Sequence, residues 1–213
     1  MDEAPESSET PARHNYPKGI ARRAAIIEVA TDLFGRAGYR GATMLQIAAA
    51  CGISRAGLLH HFPTKESLLA AVLSERDRID RDRLVRDPIA AHDGLAALAD
   101  LISLVQRNST IPAIVNLFAV LSAEAGDPSH PAHAYFVDRY ETARSELQQT
   151  LMGIRDRGLL APGVDPGSLA IELIALMDGL QVQWLLAPER VDMASHVRRR
   201  IESALIVPLM GGN

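Results

Sequence analysis

The 213-residue chain has a single cysteine, a single tryptophan and only 4% aromatic residues. With Cys51 alone, an intramolecular disulfide is excluded, and so is any multi-cysteine zinc or iron–sulfur centre. No P-loop, no G-x-G-x-x-G after a strand, no nucleophile elbow and no HExxH occurs, so neither an enzyme nor a bound cofactor is expected. Period-2 alternation of useful length is missing, which removes strands. The first twenty residues contain no apolar run, so no secretory signal is predicted. The most apolar stretch, Leu169 to Leu186, is interrupted by Glu172, Asp178, Gln181 and Gln183, which argues against a membrane span. What is present is ample Ala, Leu, Ile and Val within a 47% hydrophobic composition, enough for a sizeable core. An all-α, soluble, cytoplasmic protein is the expectation.

The net charge of −4 conceals an uneven distribution. Residues 1–10 carry four acids and no base, residues 11–86 carry 13 bases against 7 acids, and residues 87–213 carry 9 bases against 15 acids. A basic front third on an acidic remainder is what a protein facing a polyanion would show.

Residues 1–17, rich in Glu, Ser and Pro, read as a disordered acidic tail. Ile20, Ala24, Ile27, Ala30 and Phe34 then recur at helical spacing, and Gly38 is the candidate left-handed stop. Thr43 and Gln46 form a capping box that opens a short helix ending before Gly52. Ser54 caps a second short helix that reaches His61, and Thr64 caps a connecting helix over 64–87. Residues 18–63 thus form one compact unit. The region 88–213 is predicted to hold helices near 89–107, 111–124, 131–157, 166–187 and 192–208, about nine helices in the whole chain, bounded by Pro and Gly.

Two short helices joined at a glycine make a helix-turn-helix that can read DNA. Gly52 permits positive φ in the turn, and Ile47, Ile53 and Leu58 are spaced to pack the helices together. Capping by Ser54 leaves Arg55, Ala56 and Gly57 facing outward. Small Ala56 and Gly57 admit a groove floor, while Arg55 reaches a guanine edge or a phosphate. Thr43, Ser54, Arg55, Ala56, Gly57, His60, His61, Thr64 and Lys65 are the DNA-binding candidates. His60 and His61 are adjacent on a helix and point about 100° apart, which disfavours a metal pair.

From Ile26 to Leu73 the chain resembles the tetracycline-repressor (TetR) family. The resemblance rests on Phe34, Gly38-Tyr39, Ala42-Thr43, Ile47-Ala48, Cys51-Gly52-Ile53-Ser54 and the run from Gly57 to Leu69. It implies a three-helix DNA-binding unit joined by a fourth helix to a helical regulatory domain. It also implies a homodimer whose DNA affinity falls when a small molecule binds. Leu59 and Gly57 depart from the family pattern, which more often has Tyr and Thr or Ser there. Sequence choice should then lean on Arg55 and on DNA shape.

In the C-terminal region the helix near 111–124 is apolar nearly all round, so protein should surround it. Asn116, Phe118, Phe136, Tyr140, Met177, Asp178, Gln181 and Trp184 are candidates to line an effector cavity. Asp178 has a second reading, as a paired interface charge. Leu169, Leu173, Leu176, Leu180, Met193, Val197, Ile201 and Leu205 are assigned to a two-fold dimer face. Glu124, Asp127, His130 and His133 cluster with metal-ligating chemistry, although flanking Pro128 and Pro131 read as an ordinary surface loop, and no metal is assigned. The expected function is a homodimeric, ligand-responsive regulator, released as a repressor from near-palindromic double-stranded DNA by a small, largely apolar molecule. The alternative is an all-α carrier of hydrophobic molecules without DNA binding.

Overall fold

A computed structural model describes residues 16–84 and 94–209. Among these residues nine helices follow one another: α1 (Tyr16–Gly41), α2 (Met44–Ala50), α3 (Arg55–His61), α4 (Lys65–Leu84), α5 (Gly94–Asn108), α6 (Pro112–Glu124), α7 (His133–Asp156), α8 (Pro166–Leu186) and α9 (Met193–Glu202). The expected acidic tail up to residue 15 lies outside the described residues, as do the end of the connecting helix and the start of the helix placed near 89. Tyr16 and Pro17, expected in the tail, already belong to α1.

Local signals account for the first four helices. Thr43 Oγ1 accepts the Gln46 N–H at 3.2 Å while Gln46 Oε1 accepts the Thr43 N–H at 2.9 Å, the reciprocal bonds of a capping box. Gly52 turns the chain at φ 64°. Gly38 takes φ 71° and ψ 172°, outside the helical region, so the first helical run of α1 stops there as expected and a short second run continues across the kink to Gly41.

Two buried clusters organise the packing. The first gathers Ile26, Phe34, Ile47, Leu58, Phe62 and Leu68 from α1–α4 and adds Leu117 and Leu121 of α6 and Phe136 of α7. The second joins Leu98 and Ile102 of α5, Leu151 and Ile154 of α7, Leu173 and Trp184 of α8, and Val197 and Ile201 of α9. Helix α6 serves both, since Val115 belongs to the second. This double packing explains why it is apolar nearly all round.

The helix expected over 192–208 ends at Glu202. The backbone beyond it pairs elsewhere: Leu205 forms an antiparallel bridge with Leu160. Ala161 N–H donates to Ala204 O at 2.8 Å, and Ile206 N–H donates to Leu159 O at 3.0 Å. A clasp of main chain therefore ties the α7–α8 connection to the segment after α9.

Candidate nucleic-acid interface and effector cavity

The reading helix α3 owes its start to Ser54, whose Oγ accepts the Gly57 N–H at 3.0 Å. Arg55, Ala56 and His60 are exposed, with Gly57, Leu59 and His61 half-buried beside them. A Cβ built on Gly57 would meet only Ser54 Oγ at 3.4 Å and Ile53 Cβ at 3.8 Å, ordinary contacts. The fold itself therefore leaves room for a side chain at 57, and a glycine there helps only something approaching from outside. Thr64 and Ser67 cap α4 reciprocally, with backbone-to-hydroxyl bonds of 3.1 and 3.2 Å. Two exposed threonines and one exposed serine thus mark three helix starts on one small unit, where free N–H groups suit phosphate. Lys65 is half-buried, with Nζ 4.3 Å from the Tyr39 ring centroid. Burial lowers its pKa, while Glu66 and Glu124 pull it back up.

In the C-terminal region a solvent-open pocket of about 360 Å³ lies between α6, α7 and α8, with Gly179 and Val182 exposed at its rim. Its walls are Ala119, Ser122 and Ala123 of α6, Tyr140 of α7, and Asp178, Gly179, Gln181 and Val182 of α8. Tyr140 donates to Asp178 Oδ2 at 2.8 Å. Burial raises the Asp178 pKa, with the Tyr140 bond and the Arg139 charge opposing. The Tyr140 phenol is pushed up to about 12, by burial first and then by its bond to Asp178.

Three of the eight expected lining residues, Tyr140, Asp178 and Gln181, share this cavity. The others do not line it. Phe118 and Phe136 stack edge-on at 5.8 Å behind Tyr140. Asn116 lies against Gly35 on the α1 side, and Met177 and Trp184 pack into the second core. Ser122, Ala119 and Ala123 were missed by the sequence reading. Their signal was a face of small residues at spacings of three and four, which leaves space where larger side chains would fill it.

The expected dimer face needs correction. Leu169, Leu173, Leu180, Met193, Val197 and Ile201 are all 5% exposed or less and belong to the core of the single chain. Leu176 and Leu205 are partly buried against the same core. These positions pack α8 onto α7 and α9, and α9 onto α5. The apolar face that α8 leaves exposed runs through Ile171, Ala175, Val182 and Leu186. Helix α8 is also the one described helix long and apolar enough to cross a membrane, although its other face forms this core.

Each member of the suspected metal cluster has a local partner. Glu124 Oε2 accepts the Tyr39 N–H at 2.7 Å. Asp127 is held at about 2 by the Ser129 N–H and hydroxyl, and then by Arg40. His130 Nδ1 accepts the Ala132 N–H at 3.1 Å, and His133 Nδ1 lies 2.8 Å from the Ala125 carbonyl.

Residues 26–72 match the family model for bacterial regulatory proteins of the tetR family, and residues 119–206 match that for the C-terminal part of BetI-type transcriptional repressors. The transcriptional repressor KstR2 of Rhodococcus jostii is 30% identical over 160 residues, 71% of this chain and 70% of that protein. The chain belongs to the TetR family. The transcriptional regulator TtgR of Pseudomonas putida is 25% identical over 190 residues, 86% of this chain and 89% of that protein. A solved transcriptional regulator from Saccharomonospora viridis, in complex with choline, superposes with a TM-score of 0.73 at 24% identity, covering 87% of this chain and 98% of that one. The protein is accordingly a DNA-binding transcriptional regulator.

The junction between the TetR-type DNA-binding head and the rest is polar as well as apolar. Glu124, at the end of α6, accepts from the Tyr39 backbone, and Arg40 pairs with Asp127. Tyr39 in turn donates to Glu66 Oε1 at 2.6 Å and meets the buried His130 ring edge-on at 5.1 Å. One tyrosine on α1 therefore touches the start of α4 and the connection that follows α6.

Proposed function

We propose that this TetR-family protein is a cytoplasmic homodimeric repressor that leaves its operator when a small molecule occupies the α6–α7–α8 cavity. The observation that carries the reading is the double packing of α6, which walls the cavity on one side and fills the core of the DNA-binding head on the other. Displacing α6 moves the head, because Leu117, Leu121 and the Glu124–Tyr39 bond bind it to α1.

The exposed α8 stripe of Ile171, Ala175, Val182 and Leu186 supplies the self-complementary face for a two-fold copy. Two copies of α3 would then enter successive major grooves about 34–36 Å apart, on a near-palindromic operator. Thr43, Ser54, Thr64 and Lys65 contact phosphate, and Arg55 reads a base, with Ala56 and Gly57 letting the backbone close in. His60 and His61 flank the groove.

A gel-shift titration with the DNA flanking the protein's own gene tests this. Between 50 and 200 mM salt the affinity should fall about a hundredfold or more, as expected when several phosphates are contacted. Lys65→Ala should weaken all sequences together, whereas Arg55→Ala should also relax sequence choice. A salt-independent affinity would rule the reading out.

A further inference from the structure

We propose that Glu124 is a two-position latch between the DNA-binding head and the rest of the chain, held by the Tyr39 N–H in one position and by the buried His130 Nε2–H in the other. The proposal rests on the reading that displacing α6 moves the head, and it names the contact that carries the displacement.

His130 is the unusual member of this junction, because its side chain is fully enclosed. Its Nδ1 accepts the Ala132 N–H at 3.1 Å, so the neutral ring carries its proton on Nε2. Among the described residues that Nε2–H meets no hydrogen-bond partner. A buried donor without an acceptor is costly, and folded chains keep few of them. Glu124 Oε2 stands 3.4 Å away, near enough to be reached by a small movement but not placed to bond.

That oxygen is already committed, since it accepts the Tyr39 N–H at 2.7 Å. The other carboxylate oxygen, Oε1, lies against Gly38, where a Cβ would come within 2.1 Å of it. Oε2 is therefore the oxygen left between two donors, one on the head and one on the connection that follows α6. Whichever donor takes it leaves the other short. Two arrangements of similar bonding, separated by a small shift, make a bistable element.

The frame around the carboxylate is tied down on every side. The Tyr39 ring meets the His130 ring edge-on, and its hydroxyl donates to Glu66 of α4. Lys65 Nζ lies over the same tyrosine ring, and Arg40 pairs with Asp127. His133 Nδ1 sits 2.8 Å from the Ala125 carbonyl. Glu124 is the last residue of α6, so a shift of that helix moves the carboxylate within this fixed frame.

Hydrogen exchange of the Tyr39 amide, read by NMR on the full chain, is the test. His130→Asn puts an amide oxygen where Nδ1 accepts the Ala132 N–H and leaves nothing to reach Glu124. The carboxylate then stays on Tyr39, whose amide should exchange about threefold or more slowly than in the wild-type chain. His130→Gln returns an N–H donor toward Glu124 and should bring the rate back toward wild type. The amides of Ala30 and Phe34, earlier on α1, are the reference. A merely structural role for His130 would speed these and Tyr39 together. An unchanged or faster Tyr39 amide in His130→Asn overturns the latch. The wild-type chain gives a check that needs no variant: its nitrogen-15 shifts should place the His130 proton on Nε2, and a proton on Nδ1 overturns the proposal. Operator binding by His130→Asn, read in parallel, should tighten about threefold. If the Tyr39 amide slows while operator binding is unchanged, the latch stands and the reading that α6 signals to the head fails.

Discussion

Replacing Gly38 by alanine should damage the protein through two separable effects, and the structure sets the size of each. The first is backbone strain. At φ 71° and ψ 172° the backbone lies in a region essentially confined to glycine, where a residue with a Cβ costs about 1–3 kcal/mol. The second is a collision. The new Cβ would lie 2.1 Å from Glu124 Oε1 and 2.9 Å from its Cδ, so the carboxylate must swing away. Swinging away breaks the 2.7 Å bond from the Tyr39 N–H, a charge-assisted contact in a partly buried place worth about 1–2 kcal/mol. Together Gly38→Ala should cost about 2–5 kcal/mol. In a Glu124→Ala background the collision and the bond are both gone, so Gly38→Ala should then cost only the backbone share. Urea unfolding followed by far-UV circular dichroism, at one protein concentration, measures all four corners of this cycle. A coupling energy of about 1–2 kcal/mol is expected. Equal costs of Gly38→Ala in both backgrounds would refute the account, because the clash and the lost bond would then contribute nothing.

Three further outcomes follow from the geometry. Ser54→Ala removes the acceptor of the Gly57 N–H, so it should cost about 1 kcal/mol and loosen the start of α3, seen as a lower unfolding midpoint with weaker operator binding. Ile201→Glu buries a charge at a position 1% exposed and should prevent folding, whereas Val182→Glu, at a position 50% exposed, should leave a folded chain that sediments as a monomer. The third concerns alkali: Tyr140 titrates up to about 12 in the folded chain against 10.0 when free, so its contribution to stability is whole below pH 10 and lost as the pH climbs toward 12. Phenolate absorbance should accordingly lag in the native protein and rise at pH 10–11 once it is unfolded in urea.

The head of the molecule was legible because its determinants are local. Thr43 with Gln46, Gly52 with its positive φ, and Ser54 with Gly57 all lie within a few residues of each other, so spacing alone specified them. Which apolar face of α8 the chain itself buries was not legible for a physical reason. Helix α8 is apolar on two faces, and Leu169, Leu173 and Leu180 recur as regularly as Ile171, Ala175 and Val182. Periodicity reports that a face is buried without saying against what, and only packing revealed that α7 and α9 already cover the leucines. The cavity was half legible. Tyr140, Asp178 and Gln181 announce themselves as polar groups in apolar helices. The hollow beside them exists because Ala119, Ser122 and Ala123 are small, and a deficit of volume has no residue type of its own. The end of α9 was missed because the clasp to Leu160 is made by backbone groups, which every residue carries.

That clasp turns α8 and α9 into one lever. Its two bonds, Ala161 N–H to Ala204 O and Ile206 N–H to Leu159 O, close a ring of chain that begins before Pro166 and ends after Glu202. A helix held at both ends of such a ring cannot slide lengthwise past its neighbour. A displacement of α8 at Asp178 or Gly179 is therefore shared with α9, and a push confined to one helix wall is delivered to a whole pair. Because the closure is written in peptide groups, side chains along both helices are free to drift without loosening it, short of a proline at 161 or 206.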